Sequence, residues 1–88
     1  MKTIVTFELS DVAYRCGIAT SDIVEFINDE WILPHDRERL LFDEEDIARI
    51  ILISDLKVQF GVNDEAVPII LHLLDQLKSL SHLVKNNS

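Results

Sequence analysis

The stretch LFDEEDIARIILISDLKV, residues 41–58, decides the fold because it contains the start and the body of a long apolar helix. Asp43 is a preferred N-cap residue, and the three acids after it suit the positive end of a helix dipole. The middle of the stretch is apolar nearly all round, which predicts a helix buried on more than one side. The sequence Phe60-Gly61-Val62 then breaks this helix.

The residues before this stretch predict a small β ribbon and a short helix. The three apolar residues just before the cap are expected to form a very short strand. Val5, Phe7 and Leu9 alternate with polar residues, which predicts a half-buried strand that pairs with the strand just before the cap. Ser10 is expected to cap a short helix, and Gly17 to end it in the left-handed conformation.

A second helix is predicted between the short helix and the ribbon. It starts at Thr20 or Ser21, where a hydroxyl can act as the cap. It ends near Glu30 or Trp31, because Pro34 follows and the residue before a proline disfavours the helical conformation. The polar residues that follow Pro34, residues 35–39, predict a loop, which we call the wing.

The last helix is expected over residues 64–85, capped by Asn63, with Pro68 shifting its start or bending it. Two apolar stripes run along it at spacings of three and four residues. The longer stripe consists of Ile70, Leu73, Leu77, Leu80 and Val84. The shorter stripe consists of Val67, Leu71 and Leu74. Two stripes predict two partners, the domain's own core and a second copy of the chain. The alternative is one broad face packed on the third helix alone.

The composition indicates one acidic domain. The chain has 88 residues and a net charge of −8, and 12 of its 16 acids but only 4 of its 8 bases lie in residues 1–46. We divide it into an acidic part, residues 1–62, a dimerisation helix, residues 63–85, and a tail, residues 86–88, that is expected to fray. The one cysteine, Cys16, excludes an internal disulfide and is expected in the core. A cytoplasmic protein without a membrane segment is the expectation.

No catalytic, metal or cofactor motif stands out. The two glycines are far apart, which excludes a glycine-rich phosphate loop, and His72 and His82 lie ten residues apart. Consecutive helical residues point in different directions, so the acids of residues 43–46 predict a cap and a solvated surface, not a metal site. We therefore expect no enzyme, no metal and no cofactor.

The second helix has an acidic face and no base. Asp22, Glu25 and Asp29 fall within an arc of about 60° on a helical wheel. Such a face is typical of solvated surface or of a contact with a basic protein, and the excess of acid favours a basic partner. Trp31 also has two interpretations. It is a core residue that seals the turn before Pro34, or a partly exposed anchor for that partner.

Four motifs follow one another in an order that resembles a known family. They are Cys16-Gly17-Ile18, Trp31-Ile32-x-Pro34, Phe42–Ile47 and Phe60-Gly61-Val62-Asn63. The chain resembles the MerR-like winged helix-turn-helix family, and within it the small chaperone modulators of the CbpM type. This resemblance implies a mainly helical, MerR-like winged helix-turn-helix with a small β ribbon and a long C-terminal dimerisation helix.

The resemblance also implies a function. Chaperone modulators of this type bind the J-domain of a DnaJ/CbpA-like co-chaperone and inhibit it, and they are not catalysts. J-domains offer a basic helical face that engages DnaK, so an acidic protein that covers this face would block DnaK. As a hypothesis, we place the partner-binding surface at Asp22, Glu25, Asp29, Glu30 and Trp31, extended in the wing by Asp36 and Glu38.

Three departures from the family pattern carry expectations of their own. Glu30 stands where Gly is common, which predicts a wider turn or a longer helix. Ala19 stands where a capping Ser is common, which predicts that the cap moves to Thr20 or Ser21. Leu40 occupies the position of an arginine that DNA-binding relatives carry in the wing.

The alternative function is a MerR-like transcriptional regulator that binds DNA as a dimer. The arginines that could meet phosphate are Arg15, Arg37 and Arg39. The acidic second helix would repel the same phosphates, so nucleic acid is not the expected partner. A third candidate is a dimerisation module or anti-regulator with another basic partner.

Overall fold

The computed structural model describes residues 3–87, and the side chains of residues 3–85. The elements are β1 (Phe7–Glu8), α1 (Leu9–Cys16), α2 (Thr20–Asn28), β2 (Leu41–Phe42), α3 (Glu44–Val58) and α4 (Val67–Asn87). This is a mainly helical, MerR-like winged helix-turn-helix with a two-stranded sheet, as the sequence predicts. Within the described residues, no helix combines the length and the apolarity needed to cross a membrane.

The ribbon forms as predicted, but its strands are shorter. β1 and β2 are antiparallel, with Phe7 opposite Phe42. On the other side of β2, the backbone N–H groups of Asp36 and Leu41 each donate to the other's carbonyl oxygen at 3.0 Å, which closes the wing. Val5 lies outside the ribbon and is exposed, because the two residues of β2 offer no partner that far out.

The first helix starts earlier than predicted. Leu9 is already helical, and Glu8 occupies the N-cap position without a side-chain hydrogen bond. Ser10 therefore lies inside α1, and its predicted role as a cap is wrong. Gly17 ends the helix at a φ of 68°, and the N–H of Ile18 donates to the carbonyl oxygen of Ala13 at 3.1 Å. This left-handed termination is the one predicted from the glycine.

All four helices and β2 contribute to one core. Its fully buried side chains are Val12, Ile23, Ile32, Phe42, Ile50, Ile53 and Val67. Burying one such side chain contributes roughly 1.5–3 kcal/mol. α3 is buried on more than one side, as predicted, with half-buried Ile47 and Leu52 flanking its core face, although Ile51 is exposed.

The start of α2 has no side-chain cap. Ala19 is the N-cap residue, so the predicted shift of the cap to Thr20 or Ser21 is wrong. The Asp22 carboxylate orders the start of the helix instead, because it accepts a hydrogen bond from the Ala19 N–H at 3.3 Å. This is one half of a capping box, and the other half would need a hydroxyl at position 19.

The end of α2 is tighter than predicted. Glu30 adopts a φ of 62°, a conformation that favours glycine, and the helix ends at Asn28. The Glu30 N–H donates to the Ile27 oxygen at 3.0 Å, and the Trp31 N–H to the Phe26 oxygen at 2.9 Å. These two bonds form a Schellman motif. The predicted wider turn or longer helix is therefore wrong.

Trp31 is the reason that a glutamate is tolerated in this turn. Its side chain is 7% exposed, and its ring centroid lies 5.8 Å from that of Phe26. A hydrophobic contact between these two positions commonly accompanies the Schellman motif. Packing of the two rings thus offsets the strain of a left-handed glutamate.

The start of α3 confirms the cap predicted at Asp43 and shows that it is reciprocal. The Asp43 carboxylate accepts from the Asp46 N–H at 2.8 Å, and the Asp46 carboxylate from the Asp43 N–H at 3.0 Å. The same Asp46 oxygen accepts from the N–H of His35 at 2.9 Å, which ties the wing to α3. Burial raises the pKa of the Asp46 carboxyl, against these two stabilising hydrogen bonds.

The last helix starts at Val67, three residues later than predicted. Asn63 caps a preceding turn, since its side-chain oxygen accepts from the Ala66 N–H at 3.0 Å. Pro68 is then the second helical residue, where its missing N–H costs no hydrogen bond, so the proline shifts the start. At the other end α4 includes Asn87, although residues 86–88 were expected to fray. Ser88 lies outside the described residues.

The first turns of α4 attach it to the core, and the rest projects. Val67 and Leu71 of the shorter stripe are buried. Every side chain from His72 to Lys85 is exposed, and we call this part of α4 the arm. The described chain measures 42 × 39 × 20 Å, so it is flat and extended.

Replacing Glu30 by glycine should stabilise the protein. We expect Glu30→Gly to raise the free energy of unfolding by about 0.5–1 kcal/mol, because relief of left-handed strain exceeds the entropy gained by the unfolded chain. The matched control, Glu25→Gly in the middle of α2, should lose about 1 kcal/mol. Urea unfolding of both variants measures the difference. A destabilised Glu30→Gly would show that the glutamate side chain itself holds the turn.

Candidate functional site

The acidic surface of α2 borders a small cleft. The cleft has a volume of about 280 Å³, and its lining consists of Glu25, Phe26, Asn28, Asp29, Lys57 and Asp64. Glu25 lies on α2 and Asp29 follows one turn later at its C-cap, and both are exposed. Asp64 comes from the turn between α3 and α4. We call this arrangement the acidic cleft.

Lys57 of α3 is the one base in the lining of the acidic cleft. Its ammonium nitrogen lies 3.0 Å from a carboxylate oxygen of Asp64. The same nitrogen lies 5.7 Å from the ring centroid of Phe26 and 5.6 Å from that of Trp31, within the range of a cation–π interaction. The lining of the cleft therefore combines the Phe26 ring with three acids and with the Lys57 ammonium, which also lies near the Trp31 ring.

The predicted surface residues fall into two groups. Glu25 and Asp29 share the cleft, and Glu30 follows them in the left-handed turn. Asp22 is half-buried, and its carboxylate is engaged by the N–H of Ala19. The chemistry available for a partner is thus concentrated at the C-terminal end of α2.

The wing acids lie apart from this cleft. Asp36 is half-buried and shapes the wing, because its carboxylate accepts a hydrogen bond from the Arg39 N–H at 3.0 Å. Glu38 is exposed at the wing. Neither residue lines the cleft, and the wing balances its two acids with Arg37 and Arg39, so it does not extend the acidic surface.

Trp31 is a core residue, and its interpretation as a partly exposed anchor is wrong. The Schellman turn places its ring on Phe26, where 7% of the residue stays exposed. Asp64 was not predicted to belong to the partner-binding surface. The only sequence signal for it was an acid at the start of a helix, which gives no information about the neighbouring helix.

Arg49 connects the back of this site to α4. Its Nε donates to the carbonyl oxygen of Trp31 at 2.7 Å. Its two terminal nitrogens donate to the two carboxylate oxygens of Asp75 at 3.0 and 3.3 Å. The hydrogen bond from Arg49 lowers the pKa of the Asp75 carboxyl.

The arginines proposed for DNA contact lie at the other end of the domain. Arg15 pairs with Asp11 at 3.2 Å and stacks on the Phe7 ring at 4.5 Å. Arg39 lies 4.0 Å from Asp36. Arg37 is exposed, and α2 itself contains no base.

Metal and thiol chemistry add little to this picture. Within the part of the chain that the structure describes, no three His, Cys, Asp or Glu side chains are placed to hold a metal ion. Cys16 is half-buried against the core, and burial raises the pKa of its thiol. A thiol with a raised pKa is a poor nucleophile at neutral pH.

Comparison with protein families identifies the class. Residues 7–86 match the family described as MerR HTH family regulatory protein, a span that runs from β1 almost to the end of α4. The chain belongs to this family of regulatory proteins. The comparison with curated proteins gives no match.

The Arg49–Asp75 pair predicts a pH dependence of stability. Because the pKa of Asp75 is lowered in the folded protein, its contribution is present above the ordinary aspartate pKa of about 4 and is lost as the pH falls through the lower folded value. Asp75→Asn should therefore make the acid limb of the stability curve shallower below pH about 4. Urea unfolding at several pH values measures this. Asp55→Asn, an exposed carboxylate on α3, is the control and should keep the slope. An Asp75→Asn curve parallel to wild type would contradict the pairing.

Proposed function

We propose that this protein is a non-catalytic chaperone modulator, which binds the basic J-domain of a DnaJ/CbpA-like co-chaperone and inhibits it. The observation that carries the proposal is the acidic cleft at the exposed end of α2, the helix that follows the helix-turn-helix turn. The resemblance of the chain to chaperone modulators of the CbpM type points to the same kind of partner.

Charge on α2 favours a basic partner. The exposed acids Glu25, Asp29 and Glu30 give this part of the surface one sign. Of the two bases of α3, Arg49 pairs with Asp75 and lies outside the cleft lining, while Lys57 offsets only one of the three acids that line the cleft. A single-signed surface steers an oppositely charged partner and speeds its association.

Binding alone is sufficient to inhibit the co-chaperone. A J-domain uses its basic helical face to engage DnaK, and the acidic surface would cover that face. Steric exclusion is then sufficient, and no catalytic group is needed. Since rim charges act mainly on association, binding should weaken strongly as salt rises.

DNA binding is the second candidate, and one observation favours it. Arg39 lines a cavity of about 640 Å³ together with Ser10 and Thr20, at the N-terminal end of α2. Helix N-termini and arginines are both suited to phosphate. Arg39 and Arg15 pair with carboxylates of their own chain, which weakens this candidate.

We also propose that the protein is a homodimer joined through the longer stripe of α4. Leu73, Leu77, Leu80 and Val84 are between 57% and 62% exposed in the single chain, and Ile70 is half-buried. Helices owe most of their stability to packing of an apolar face, and the arm has no such packing within the described chain. A second arm supplies a seam with the same spacing.

Charge reversal in the acidic cleft should weaken J-domain binding. We expect Glu25→Lys and Asp29→Lys each to raise the Kd for a purified J-domain of the host's DnaJ-like protein by roughly tenfold, and together to reduce its salt dependence. Asp22 is left unchanged because its carboxylate orders α2. Titration calorimetry at two salt concentrations measures both effects.

The matched control is Asp55→Lys, the same charge change on the exposed face of α3. It should leave J-domain affinity nearly unchanged. Equal weakening by Asp55→Lys and Glu25→Lys would remove the cleft from the interface. Binding of a palindromic promoter site at physiological salt, with loss on Arg39→Ala and no J-domain binding, would favour the regulator of transcription instead.

A charge in the seam of α4 should separate the dimer. We expect Leu77→Asp to sediment as a monomer and to lose helical circular dichroism, because a buried aspartate would lack a partner. Ser79→Asp, on the other side of the same helix, is the control and should stay dimeric. A Leu77→Asp dimer of unchanged strength would exclude Leu77 from the interface.

A further inference from the structure

The acidic cleft already holds a cation that belongs to the protein itself. The ammonium group of Lys57 lies 3.0 Å from Asp64 and faces the rings of Phe26 and Trp31 at 5.7 and 5.6 Å. Carboxylates of Glu25 and Asp29 line the same cleft. A carboxylate together with aromatic rings is an environment that can bind a lysine or arginine of a basic partner.

We infer that Lys57 is an autoinhibitory occupant of the acidic cleft, which a basic side chain of the partner must displace. This inference rests on the proposed function, because it concerns the regulation of the same surface. It assigns a role to a base inside an otherwise acidic site, where its charge opposes the attraction of a basic partner.

The contacts of Lys57 are weak enough for a partner to break. The Lys57 side chain is 32% exposed and its partner Asp64 is 67% exposed. Ion pairs at such exposure are screened by water and contribute little. A lysine also has a flexible four-carbon stem, so its ammonium can move away from the rings and into solvent.

Displacement changes the charge of the cleft in the partner's favour. With Lys57 in place, the ammonium neutralises one of the three carboxylates that line the cleft. Once it leaves, Asp64 joins Glu25 and Asp29 as an open acceptor. The cleft is therefore less attractive to weakly basic proteins than its acid content suggests, and its selectivity shifts toward partners whose own cation replaces Lys57.

Neutralising Lys57 tests the inference. The full-length protein carries Lys57→Gln, and the probes are a deca-lysine peptide and the purified J-domain. We expect Lys57→Gln to bind both about fourfold more tightly than wild type, the effect of removing one charge a few ångströms from the contact in a largely aqueous environment. Lys57→Arg, which keeps the charge and the ring contact, should bind like wild type.

The matched control is Lys78→Gln, the same loss of charge on the arm. It should leave both affinities within experimental error of wild type. An equal gain by Lys78→Gln and Lys57→Gln would overturn the inference, because net charge alone would then explain it. Thermal unfolding verifies that each variant is folded before binding is measured.

Trp31 reports on the site directly, since it is the only tryptophan of the chain. Lys57→Gln should change its emission by removing the ammonium from the ring face, and deca-lysine should then reverse this change. Peptide binding to Lys57→Gln with no effect on Trp31 emission would overturn the inference. The peptide measurement also separates the two proposals. Tighter peptide binding without any J-domain binding would support the occupant and overturn the proposed partner.

Discussion

Arg49 keeps the turn after α2, the helix α3 and the arm in one fixed relation. Its Nε satisfies the Trp31 carbonyl at 2.7 Å, while its fork binds both oxygens of Asp75. A lysine at this position could not do the same, because a single ammonium cannot present three coplanar donors to the acceptor oxygens of two separate residues. The acidic cleft adjoins this arrangement, since the Trp31 ring packs on Phe26, which lines the cleft, and α4 begins shortly after Asp64. Asp75 lies near the start of the arm, so its pairing with Arg49 ties this part of the arm to α3.

Local signals in the sequence predicted most of the elements. Gly17 through its backbone freedom and Asp43 through its side chain each decide a helix end without help from distant residues. Predictions failed where tertiary packing overrides the local preference. Glu30 takes a glycine conformation because the Trp31 ring packs on Phe26, and no local rule anticipates that contact. Part of the candidate site was missed for the same reason: Asp64 reaches the cleft only through the turn after α3.

The charge arrangement is compatible with a helix-turn-helix domain that binds a basic protein instead of phosphate. In this fold α2 presents its surface outward, and here that surface carries carboxylates. The bases of α3 are paired within the chain, since Arg49 and Lys57 each form an ion pair with an acid of α4 or of its preceding turn. The fold therefore keeps a shape suited to a groove or a helix while the sign of its field opposes phosphate. Such a change requires no rearrangement of the core, because all the residues involved lie outside it.

The two proposed contacts depend on different forces, and this separation has a functional consequence. The seam of α4 is aliphatic, so its association depends on burial of apolar area and responds little to moderate salt. The acidic cleft acts through charge, which is screened over a Debye length of about 8 Å at physiological salt. The cleft and the seam lie on different parts of the chain, since the cleft lies on α2 and the α3–α4 turn, whereas the seam lies on the arm. A dimer would thus present two identical acidic clefts, and a rise in ionic strength would release the partners while the dimer persists.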